Sequence, residues 1–106
     1  ERVIKIMENV LVLSPLDNVG NAIENVSLNQ LIFYKSENNT DALTANQVIP
    51  FGFKVALRSI KKGEPVIKYG SIIGRATEDI QPGDLVHVHN LAGCRGRGDL
   101  EKTAKG

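Results

Sequence analysis

The sequence predicts a small all-β domain, and three observations carry that prediction. Apolar residues make up 42% of the 106, but aromatic residues only 5%. The core must therefore rest on Val, Ile, Leu and Ala, which suit pleated, half-buried strands. A motif with glycine in a fixed slot recurs along the chain. No window of about ten residues or more carries the spacing of an amphipathic helix, although 17–26 has room for one short helical turn. The length allows one domain and one modest core.

The motif is Ala-x3-(Val/Ile)-x2-(Gly/Asn)-x2-(Val/Ile), and it occurs four times: Ala22, Val26, Asn29, Ile32; Ala45, Ile49, Gly52, Val55; Ala56, Ile60, Gly63, Val66; and Ala76, Ile80, Gly83, Val86. Its intervals are irregular, unlike those of a solenoid. Gly in the third slot, replaced once by Asn, is the signature of a backbone at positive φ. Each copy thus reads as strand, tight turn, strand, and Pro82-Gly83 favours a type II turn.

The clearest alternating strand is Leu85-Val86-His87-Val88-His89, with Leu85, His87 and His89 expected on one face. Val10 to Leu13 and Val66 to Tyr69 are shorter strand candidates. Lys35 to Thr44, rich in Ser, Asn and Glu, reads as an exposed loop. These elements set domain bounds of 1–92, with 93–106 a flexible basic tail or linker.

Thirteen basic residues against 12 acidic ones give no general attraction to a polyanion, so nucleic acid is not an expected partner. No stretch approaches the ~20 apolar residues of a membrane span. The single cysteine, Cys94, cannot form an internal disulfide, and the first residues lack a secretory signal. A cytoplasmic protein is the expectation, and unpaired strand edges make self-association one as well.

His87 and His89, two apart on an expected strand, would stand about 7 Å apart on the same face, near enough to share a metal or a substrate. Asn90 follows them and could orient a ring or end the strand. Two exposed histidines without a ligand is the alternative reading. Lys54, Arg58, Lys61, Lys62, Lys68 and Arg75 are interspersed as a solvated face usually is, or could line a site for a small anion. The run Gly70 to Gly74 lacks the lysine and helix of a phosphate loop and reads as a hairpin turn. Cys94 has no neighbouring base, and Arg97-Gly98-Asp99 is a chance tripeptide without a sign of export.

The runs Ile49-Pro50-Phe51-Gly52-Phe53-Lys54-Val55-Ala56-Leu57, Ile60 to Gly70, Ile73 to Thr77 and His87-Val88-His89-Asn90 occur in an order that resembles the N-terminal SAF domain of the altronate/galactarate dehydratase family. The resemblance runs from about Val10 to Leu100. It implies a β-clip fold and a place either at the start of a long dehydratase chain or as a small subunit beside a large catalytic one. It further implies loss of water from a sugar acid, with a divalent metal such as iron in the full enzyme. Small subunits of sulfolactate sulfo-lyase look alike. Within this resemblance His87 and His89 are the expected catalytic and metal-binding residues, and Lys54, Lys68 and Asn90 the expected contacts to the sugar acid. One departure stands out: where the family usually reads Pro-x-Gly-His-Lys, this chain has Phe53. That substitution keeps open a non-catalytic binding or assembly module.

Overall fold

A computed structural model describes residues 8–93, and among them there is no helix. Nine strands follow one another: β1 (Val10–Leu11), β2 (Val19–Ala22), β3 (Leu31–Ser36), β4 (Asn39–Thr44), β5 (Lys54–Ala56), β6 (Pro65–Lys68), β7 (Ser71–Ala76), β8 (Leu85–Val86) and β9 (Leu91–Gly93). They form a central sheet in the order β1-β2-β5-β8, a hairpin β3-β4, and a sheet β6-β7-β9. The domain is all-β, as the composition predicts.

All twelve apolar side chains of the four motif copies are buried. The third-slot residues, Asn29, Gly52, Gly63 and Gly83, have φ values of 70°, 87°, 90° and 92°. Each turn closes with a bond from the residue after that slot to the residue after the second slot, as in Phe53 N–H to Pro50 C=O at 3.0 Å and Glu64 N–H to Lys61 C=O at 2.9 Å. Positive φ at the third position of such a turn is the requirement of type II geometry.

The copies clasp in pairs. Val26 and Ile49 exchange both backbone hydrogen bonds at 2.8 and 2.9 Å, and Ile60 and Ile80 do the same at 2.9 and 2.7 Å. Within each pair the third-slot N–H donates to the partner's alanine carbonyl: Asn29 to Ala45, Gly52 to Ala22, Gly63 to Ala76, and Gly83 to Ala56. A first module therefore runs from β2 through the β3-β4 hairpin to β5, and a second from β5 through β6-β7 to β8. Strand β5 serves both, so the modules meet along the central sheet.

Alternation along β5 divides the core between them. Val55 faces one apolar cluster, with Val10, Ala22, Val26, Ile32 and Ile49. Ala56 faces the other, with Val19, Ile60, Val66, Ile80 and Val86. Fully burying side chains of this size stabilises by about 1.5–3 kcal/mol each, which explains how a domain so poor in aromatics holds together.

Three asparagines lock the strands on to this frame in the same way. Asn9 accepts from Phe33 N–H at 2.7 Å and donates to Leu31 C=O at 3.2 Å. Asn18 accepts from Ile67 N–H at 2.7 Å and donates to Pro65 C=O at 3.0 Å. Asn90 accepts from His87 N–H at 2.9 Å and donates to Leu85 C=O at 2.9 Å. Each also bonds through its own N–H to the same backbone, and each carbonyl accepts from the residue after a motif alanine. A neutral side chain thereby satisfies backbone groups that no neighbouring strand reaches.

Several local expectations are corrected. The 35–44 segment is a paired hairpin with register Lys35↔Thr40 and Ser36↔Asn39, its polar residues standing on solvent-facing strands. The stretch 17–26 holds strand β2, not a helical turn. Only Tyr69-Gly70 forms the turn after β6, and Ser71 onward is strand. The strand at Leu85 ends at Val86, because Asn90 folds back on His87 and closes 87–90 into a turn. The expected common face for His87 and His89 is therefore not formed by a strand. Cys94 and the rest of the expected tail lie outside the described residues.

Candidate functional site

The fourfold pattern makes its own exceptions visible. In three copies the residue after the positive-φ slot is polar and braces its turn: Gln30 accepts from Ser27 N–H, Glu64 from Lys61 N–H and Asp84 from Gln81 N–H, each at 2.8 Å. In the second copy the corresponding donor is Pro50, which has no N–H, so Phe53 is released from that task. His87 breaks a second series, since the residues in its place in the other clamps are Phe33 and Ile67. These two exceptions touch: the Phe53 and His87 rings lie 4.8 Å apart, tilted by 50°. That contact falls within the range of favourable aromatic packing.

The remaining predicted residues divide. Phe53 packs against the first cluster with Val55, which places the Phe53–His87 pair on that side of the sheet. Lys54 points the opposite way, paired in register with Asn21 on β2 and Val86 on β8. Burial and then the nearby Lys68 ammonium pull the Lys54 pKa below its ordinary value. Lys68 lies over the Tyr69 ring, 5.0 Å from its centre. Thus Lys54 and Lys68 come together, while His87 stands across β5 from them. His89 is exposed in the turn. Asn90 is 3% exposed, with its side chain engaged in the 85–90 turn.

Sequence reading missed Asn21, whose Oδ1 is buried without a hydrogen-bond partner. Nothing in its immediate neighbours marks it out; its importance comes from the register opposite Lys54. It also missed the buried carboxylate of Asp17, which accepts from Leu13, Ser14 and Gly70 N–H at 3.3, 3.2 and 2.8 Å. That arrangement is architectural, tying the β6-β7 turn to the entry of β2.

The altronate/galactarate dehydratase SAF domain family matches residues 8–93, the full extent of the described structure. This chain belongs to that family. A (2R)-sulfolactate sulfo-lyase subunit alpha of Paracoccus pantotrophus is 47% identical over 55 residues, covering 52% of this chain and 82% of that protein. Its counterpart in Chromohalobacter salexigens is 35% identical over 71 residues, 65% of this chain and 76% of that one. An altronate dehydratase of Escherichia coli is 41% identical over 75 residues, which cover 71% of this chain but 14% of that enzyme. The matched segments thus cover most of each sulfo-lyase subunit but only a small part of the dehydratase.

The metal that the resemblance implies can be tested against the donor set. Among the described residues no group of three or more His, Cys, Asp or Glu side chains could hold a metal ion, and Phe53 puts an aromatic hydrocarbon against His87. These residues do not fit a metal centre by themselves. No helix among them is long and apolar enough to cross a membrane.

Proposed function

We propose that this SAF chain is the small component of a sugar-acid dehydratase and works with a larger catalytic partner. The observation that carries the reading is the family match over 8–93. Removing water next to a carboxylate requires a base for the carbon-bound proton, an acid for the departing hydroxyl, and a cation to hold the carboxylate. Lys54 and Lys68 are suited to the last task. His87, half-buried with its ring against Phe53 on the opposite side of β5 from the two lysines, is suited, like exposed His89, to a contact with the partner. The larger partner supplies the remaining carboxylates and the ligands of any divalent metal.

A sulfo-lyase is the second reading, favoured by the 82% and 76% of the two alpha subunits that the alignments cover. Both reactions eliminate a group next to a carboxylate and differ in what leaves. The test is co-purification with the candidate large subunit, then turnover across aldonates, aldarates and sulfolactate. We expect no turnover by the chain alone, turnover by the complex, and its loss in His87→Ala. Dehydration by the chain alone, or full activity of the complex after His87→Ala, rules out these roles; release of sulfite without dehydration selects the second reading.

A further inference from the structure

We propose that the segment Val3 to Met7 docks as a strand on the outer edge of β3, with Ile4 and Ile6 filling the cavity beside the β3-β4 turn. These residues precede the described ones and lie outside the family match over 8–93. The edge that receives them is partly occupied already. Ser36 and Asn39 flank the two-residue turn of the hairpin, so Ser36, Tyr34 and Ile32 bond to β4 while the alternate residues turn their backbone groups away from it. Asn9 takes the first of these outward groups, donating its N–H to Phe33 C=O at 3.1 Å and accepting from Phe33 N–H through Oδ1 at 2.7 Å. Two residues further on, the outward N–H and C=O of Lys35 have no partner among the described residues.

Continuing the antiparallel relation of Asn9 with Phe33 backwards along the chain sets Met7 opposite Lys35 and Lys5 opposite Glu37. The second pair joins opposite charges, a favourable cross-strand combination. Alternation puts Ile4 and Ile6 on the face of Glu8, and Glu8 lines a cavity of about 320 Å³ together with Leu11, Val12, Leu13, Ser36 and Glu37. Ile6 then stands opposite Ser36, over that cavity. Four of the five residues from Val3 to Met7 are apolar, and the chain joins the cavity wall at Glu8, so the docked strand needs no connecting loop. A second copy or a strand of another protein would meet the same edge, but only after losing freedom that a covalently continuous segment has already given up.

The test is amide hydrogen exchange of the full 106-residue chain, followed by NMR at several protein concentrations. The Lys35 amide should exchange at least tenfold more slowly than in the double variant Ile4→Asp with Ile6→Asp. The Phe33 amide, held by Asn9, should exchange equally in both, which shows that the variant remains folded. A nuclear Overhauser contact between the Hα protons of Ile6 and Ser36 should report the register. Lys5→Glu should reduce the protection of Lys35, and adding Glu37→Lys should restore it. An unprotected Lys35 amide in the unmodified chain, equal protection in the double variant, or a different register would overturn the proposal. Protection that appears only as concentration rises would give the edge to a second copy and overturn it as well.

Discussion

The two modules share a backbone plan and differ in what the plan carries. Both pass through a tight turn, extend a hairpin whose first strand an asparagine clamps, and return through a second turn, the two copies joined by one clasp. In the second module both turns carry their side-chain brace, at Lys61 with Glu64 and Gln81 with Asp84. In the first, one turn is braced by Gln30 and the other exchanges its brace for Pro50 and Phe53. The exchange stiffens the turn through proline while freeing one position to face His87. A repeated scaffold can thus dispense with a polar contact at one copy and turn that copy towards a ligand or partner, because the other copies preserve the fold.

The glycines offer the strongest way to break the equivalence. Gly52, Gly63 and Gly83 share φ near +90°, so alanine at any of them adds a left-handed strain of about 1–2 kcal/mol. A Cβ at Gly52 or Gly63 meets nothing within 4 Å, whereas at Gly83 it would stand 2.2 Å from Thr44 O. We expect Gly83→Ala to lose more than about 4 kcal/mol, the range reserved for changes that displace backbone, and Gly52→Ala and Gly63→Ala to stay near the strain alone. Urea unfolding of the three variants checks this, and equal losses would refute the close seam at Gly83.

The asparagine clamps come next. Removing Asn9 or Asn90 by alanine leaves a buried backbone donor and acceptor unmet, at a cost of about 1–3 kcal/mol. The two should match in stability and differ in function, since Asn9 holds Phe33 and Asn90 holds His87. Activity of Asn90→Ala in the complex should fall even at temperatures where the variant is fully folded, while folded Asn9→Ala keeps its turnover. Equal activities would show that the Asn90 clamp serves stability alone.

Fold class and most of the core were legible because the motif expresses local chemistry: a positive-φ slot admits Gly or Asn, and a clasp buries Ala and a β-branched side chain. The pairing of copies was not legible, since Val26↔Ile49 and Ile60↔Ile80 span 20 residues or more and leave no local trace. The candidate site was legible in part. Lys54 and Lys68 were recognisable as residue types, but their approach depends on how β6 packs beside β2. Alternation misplaced His89, because Asn90 bonds back to His87 and ends the strand, a competition between side chain and strand ladder that period-2 patterning does not register.

A chemical swap between turns should have a smaller effect on the fold. Giving the second turn the residues of the third, by Pro50→Lys with Phe53→Glu, restores a donor and its acceptor while removing the ring against His87. Stability should change by about 1 kcal/mol or less, the net worth of one such hydrogen bond. Partner-dependent turnover should fall by an order of magnitude or more. A fully active double variant would mean that the Phe53–His87 contact has no part in function.

The smallest effect compares the two hairpins at one shared position, where the first carries Tyr34 and the second Lys68. Burial, and secondarily the charge of Asp41 opposite it on β4, raise the Tyr34 pKa above 10.0, despite the opposing influence of Arg58. A tyrosine raised in the folded state binds its proton more tightly there than in the unfolded chain. Its contribution is therefore complete below pH 10 and is lost as pH rises through the folded value. Tyr34→Phe should flatten the alkaline limb of the stability curve without altering it near neutrality, and Asp41→Asn should move phenolate formation, followed by ultraviolet absorbance, to lower pH. An unmoved titration in Asp41→Asn would assign the rise to burial alone and leave the cross-strand charge without effect.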